Sequence, residues 1–81
     1  MEKRIAAISI LVEQPESVEA LNAVLHDYAD CILGRMGIPY REKGLNIICL
    51  ALDAPMDVIN AVTGKLGRLP GVSAKAVTSK L

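Results

Sequence analysis

The stretch REKGLNIICLAL, residues 41–52, decides the fold. Three successive charged residues, Arg41, Glu42 and Lys43, give way at Gly44 to a nearly continuous apolar run rich in Ile and Leu. Charge followed by glycine reads as a hairpin turn, and the short apolar run beyond it reads as a strand apolar on both sides. The turn needs a strand before it, and Cys31 to Tyr40 supplies one. That segment is punctuated by Gly34, Gly37 and Pro39. Proline cannot donate to a central hydrogen-bond ladder, so an irregular or bulged edge strand is expected there. A turn centred near Lys43 sets Cys49 beside Met36 or Gly37. Cys31 then lies about 17–20 Å further along at ~3.3 Å per residue, which makes an intrachain disulfide implausible.

Upstream, Arg4 to Glu13 alternate Ala6, Ile8, Ile10 and Val12 with Ile5, Ala7, Ser9 and Leu11, a strand apolar on both faces. Pro15 suits a first helical position, and Glu16 and Glu19 complement the helix dipole. Val18, Leu21, Val24, Leu25, Tyr28 and Ile32 then recur at helical spacing opposite Glu19, Asn22, His26 and Asp30. The spacing predicts an amphipathic helix of about four turns. Downstream, Asp53, Ala54 and Pro55 open a second helix with Val58, Ile59, Val62, Leu66 and Leu69 on its inner side. Gly64 within that helix costs about 1 kcal/mol relative to alanine, and a close helix contact is the expected reason. Gly67 suits a C-terminal cap, Pro70-Gly71 a turn, and Val72 to Thr78 a last strand.

The order β-α-β-β-α-β predicts an α+β, ferredoxin-like fold: a four-stranded antiparallel sheet with two helices on one face. Residues 1–81 read as one such domain, because a chain this short has room for one modest core. With both helices on one side, the opposite sheet face stays open. Strands one and three carry apolar residues toward it, which in a monomer would expose a patch of several hundred Å². A homo-oligomer, dimer or tetramer, joined sheet-to-sheet or edge-to-edge, is therefore expected.

Hydrophobic residues make up 52% of the chain and aromatics only 2%, so the core must be aliphatic. Nine basic and nine acidic residues cancel. No net field draws the chain to nucleic acid or anionic membrane, and direct nucleic-acid binding is not expected. Tyr28 falls on a helix and Tyr40 at a strand end, so the aromatic stacking platform of ferredoxin-like RNA-binding domains is missing. No apolar run approaches the roughly 20 residues of a membrane span. The opening Glu2, Lys3 and Arg4 do not lead into a signal peptide, and a cytoplasmic location is expected.

The sequence holds no nucleophile elbow, phosphate loop, dinucleotide fingerprint or zinc-protease motif, so it is read as a non-enzyme without a cofactor. Two places carry chemistry. Gly34, Arg35, Gly37 and Arg41 combine backbone amides near glycine with guanidinium groups, which suits a small anionic or carboxylate ligand. The structural alternative is an edge strand that uses charge and proline to block aggregation. His26, Asp30 one helical turn on, and Cys31 form the second place, an alternative metal-binding sensor site, within one chain or across a subunit boundary.

Several segments together resemble the family of iron-only hydrogenase system regulators. They are Met1 to Arg4, Leu25-His26, Ile32 to Pro39 with Arg35, Gly37 and Pro39, and Thr63-Gly64-Lys65-Leu66-Gly67 leading to Gly71-Val72. That family is similar in fold to the ligand-binding half of the nickel-responsive repressor and to ACT amino-acid-sensing domains; the turn Leu69-Pro70-Gly71-Val72 looks like the ACT pattern. The resemblance implies regulation of hydrogenase maturation; taken with the two-faced apolar strands, it leads to the expectation of a homo-oligomeric, ligand-sensing regulatory domain with a site for a small-molecule effector or partner protein. Nickel sensing does not carry over, because the repressor uses several histidines and this chain has one. The loop Glu13-Gln14-Pro15-Glu16 also lacks the glycine of ACT ligand sites. Transcriptional action would need a separate DNA-binding partner.

Overall fold

The first strand, β1 (Lys3–Val12), turns Ala6, Ile8, Ile10 and Val12 into the core and leaves Ile5 and Leu11 exposed on the other side. This is a computed structural model, and it describes residues 2–80. The chain continues through α1 (Val18–Asp27), β2 (Ile32–Tyr40), β3 (Leu45–Pro55), α2 (Met56–Gly67) and β4 (Val72–Thr78). All four strands form one antiparallel sheet in the order β2-β3-β1-β4, the α+β ferredoxin-like arrangement.

Register follows the side-chain alternation. Ile8 lies opposite Leu50 on β3 and Ala76 on β4, so the core-facing row runs across the sheet. From β3, Ile48, Leu50, Leu52 and Ala54 join that row. Above it, α1 inserts Leu21 and Leu25, and α2 inserts Ile59, Val62 and Leu66. Val18, Val24, Tyr28, Ile32, Val58 and Leu69 pack around this centre. The helices are tied to each other by Lys65, whose Nζ donates to the Tyr28 hydroxyl at 2.8 Å. The Tyr28 ring centroid is 5.0 Å from the same nitrogen, so the hydroxyl and not the ring face makes the main contact.

Several element ends differ from the sequence expectation, each for a local reason. Pro15–Ser17 is a 3₁₀ turn, and the α-helix starts after it. It stops at Asp27, not Ile32, because Tyr28 leaves the helical region at φ −114° and ψ 20° and a second 3₁₀ turn, Ala29–Cys31, redirects the chain. Ile32 then opens β2 opposite Leu52, and Cys31 lies before the strand. Glu13 lies beyond β1. At the second helix, Asp53, Ala54 and Pro55 extend β3 by pairing with Ile5, Arg4 and Lys3, and Pro55 in extended geometry caps the helix.

The hairpin is as expected: Arg41–Lys43 form a 3₁₀ turn closed by Gly44 at φ 59°. Met36 faces Cys49 across it, and both cysteines are free thiols. β2 is an edge strand with an irregularity between Ile32 and Gly34 that leaves Leu33 unpaired.

Two glycines behave differently from expectation. Gly67 ends α2 without a left-handed conformation, Arg68 following in the right-handed region. A Cβ added at Gly64 would meet nothing within 4 Å, so close packing does not explain that residue. Gly64→Ala is therefore expected to stabilise the fold by about 0.5–1 kcal/mol. Thermal unfolding should show a midpoint raised by a few degrees, and an unchanged or lower midpoint would mean that the position serves something outside this packing.

At one end of the sheet the two crossover loops lock together. The buried Ser17 hydroxyl donates to the Pro70 carbonyl at 2.5 Å, and the Glu13 amide donates to the Gly71 carbonyl at 2.7 Å. Gly71, at φ 70°, presses against Gln14.

Candidate functional site

Two surfaces remain once the core is assigned. The first is the open sheet face. Odd-numbered positions of β1 point there, and the register places Ser9 opposite Cys49 and Cys49 opposite Met36. One step along, Leu11, Ile47 and Ile38 form a second row; in the other direction, Val77, Ala7 and Ala51 form a third that ends at Gly34. Met36 is 64% exposed, Ile38 56% and Val77 73%. Tyr40 and Ile5 mark the two ends. The surface is a nearly continuous apolar plane with a thiol, Cys49, near its middle and Asp53 and Lys75 toward its margins. A shallow hollow of about 350 Å³ over Ala7, Gly34, Met36, Cys49 and Ala51 lies on it.

The second surface is on the helix side. On β2, Arg35 and Gly37 pair with the core-facing Leu50 and Ile48 of β3, and Pro39 follows in the same alternation, yet all three stay exposed. A trough of about 500 Å³ follows between α1 and β2, lined by Asn22, Leu25, His26, Ala29, Ile32 and Arg35. Arg35 reaches across it, its Nη1 donating to Asn22 Oδ1 at 3.1 Å.

The residues singled out by sequence are thus distributed and not gathered. Gly34 belongs to the open face, Arg35 and Gly37 to the helix side, and Arg41 to the hairpin turn, where it borders a separate hollow with Pro15, Pro39 and Tyr40. Alternation along one strand is the reason, since neighbours point to opposite faces. His26 and Arg35 meet in the same trough, a pairing that spacing alone does not give. Asn22 was visible only as one more polar residue on the outer side of a helix. Its role depends on α1 crossing near β2, and no local pattern announces that. Among the described residues, no group of three or more His, Cys, Asp or Glu side chains stands where it could hold a metal ion. His26, Asp30 and Cys31 do not make such a set within one chain. No helix of the described residues is long and apolar enough to cross a membrane.

Comparison with known proteins agrees on one relationship. Residues 4–76 match the family described as "TM1266-like: Iron-only hydrogenase system regulator, putative". Among solved structures, that of the uncharacterized protein TM1266 from Thermotoga maritima is similar with a TM-score of 0.93 and 39% sequence identity, covering 98% of this chain and 100% of that one. No curated protein matches the sequence.

Proposed function

Since the chain belongs to the TM1266-like family of iron-only hydrogenase system regulators, we propose that it is a non-catalytic regulatory module of the cytoplasm. It works as a symmetric oligomer joined through the open sheet face, and it responds to a small effector or a protein partner.

The observation that carries this reading is the open face itself. A soluble monomer rarely leaves a contiguous apolar plane of this kind in water. A second copy fits the face because a two-fold axis near Cys49 would set apolar row against apolar row, the self-complementary case of an isologous interface. The two helices are separated by β2 and β3, so neither forms a helix-turn-helix with the other. Any effect on transcription would therefore pass through a separate DNA-binding protein.

The test is molecular mass by light scattering on the purified chain at micromolar concentration. Two or four times the chain mass is expected. A monomeric mass that persists as concentration rises would overturn the reading.

A further inference from the structure

The trough between α1 and β2 is rich in donors. Arg35 uses one guanidinium N–H on Asn22 Oδ1, which leaves the rest of a planar fork suited to two-point recognition of an oxyanion. The same bond occupies the Asn22 oxygen and fixes its amide nitrogen, with two N–H donors, beside the trough. His26, one helical turn after Asn22, adds an imidazole. No carboxylate lines the trough, although Glu19 and Asp27 lie on the same helix and Asp30 in the turn that follows. Leu25, Ala29 and Ile32 supply an apolar floor.

Donors gathered around one guanidinium over an aliphatic floor describe a ligand with two parts. We propose that this trough binds a small organic oxyanion, a carboxylate or phosphate on a short apolar body, with Arg35 gripping the charge, Asn22 and His26 adding hydrogen bonds, and Leu25, Ala29 and Ile32 receiving the body. Within one chain the trough is complete and faces away from the open sheet face. It does not depend on self-association and would stay accessible in a face-to-face dimer.

The experiment is an amide and arginine side-chain NMR titration of the full nitrogen-15-labelled chain. The probes are isovalerate and isopentyl phosphate, with isopentanol as the uncharged body and acetate and inorganic phosphate as bodyless anions. Saturable shifts at Asn22, Ala29, Ile32 and Arg35 are expected with a dissociation constant of about 1 mM or tighter for isovalerate, isopentyl phosphate or both. The tighter of the two identifies the headgroup source. Acetate and inorganic phosphate should bind about tenfold more weakly for want of the body. Arg35→Met should weaken binding at least tenfold, and Arg35→Lys, which keeps the charge but loses the fork, by about fivefold. Absence of saturable shifts with both apolar-bodied anions would overturn the proposal. So would isopentanol binding as well as they do, or Arg35→Met binding unchanged. A chain that proves monomeric yet binds through Arg35 would overturn the oligomer reading alone.

Discussion

Gly71→Ala is expected to cost the fold about 2–4 kcal/mol, enough to lower its thermal midpoint by roughly 10–25 °C in a domain of this size. Two penalties add. At φ 70° an alanine occupies the left-handed region, where a Cβ costs roughly 1–2 kcal/mol. The added atom would also lie 2.6 Å from Gln14 Cγ, 2.9 Å from its Cβ and 3.0 Å from its backbone nitrogen. The Cγ can swing away, but the Cβ and nitrogen move only with the β1–α1 connection, and forced overpacking of that kind costs about 1–3 kcal/mol. That connection is pinned on both sides by the Glu13 amide on the Gly71 carbonyl and the Ser17 hydroxyl on the Pro70 carbonyl. Circular dichroism melts of the variant check the prediction. A loss below about 1 kcal/mol would show that the two loops slide apart freely. Ser17→Ala, which removes one buried hydrogen bond from the same lock, should cost about 1 kcal/mol in the same melts.

The second large effect is on association. Ile38→Asp, or Met36→Asp beside it, changes a side chain that is more than half exposed in the single chain, so its own folding should change by no more than about 0.5 kcal/mol. In a two-fold interface the same substitution appears twice, and each copy buries an unpaired carboxylate against aliphatic groups. At a few kcal/mol per uncompensated charge, the dissociation constant should rise by at least about a hundredfold. Sedimentation velocity across a dilution series reads this directly. Glu19→Lys, on the outer side of α1, serves as the control and should leave the mass unchanged. If Ile38→Asp and Met36→Asp both keep the parent mass, association runs through a strand edge or the helices.

Periodicity made the sheet legible because its signals are local. Ala6, Ile8, Ile10 and Val12 alternate without interruption, and the Gly44 turn fixes Met36 opposite Cys49 by counting residues. Pro39 and the two nearby glycines marked β2 as the edge for the same local reason. The ends were less legible, since one residue can satisfy two patterns. Ile32 continues the helical stripe from Tyr28, yet it also opens a strand opposite Leu52, and the helix stops at Tyr28 with no glycine to signal it. Asp53 and Pro55 carry helix-start chemistry, but pairing with β1 holds them in the ladder for three more residues. The binding residues were hardest to place. Arg35 was conspicuous beside two glycines, while its partners Asn22 and His26 come from a helix and are chosen by how that helix crosses the sheet.

β1 sits between β3 and β4, the last two strands to be made, and this placement has a consequence during synthesis. Its segment Ile5 to Val12 contains no charge and no proline and is apolar on both faces, the composition that favours intermolecular β-stacking. In the finished fold both edges of that segment are hydrogen-bonded and cannot recruit another chain. A nascent chain holds β1 first and its flanking strands last, so this aggregation-prone segment waits long for protection. Yield in heterologous expression should therefore follow how fast β3 and β4 close around β1 more closely than the equilibrium stability of the folded protein.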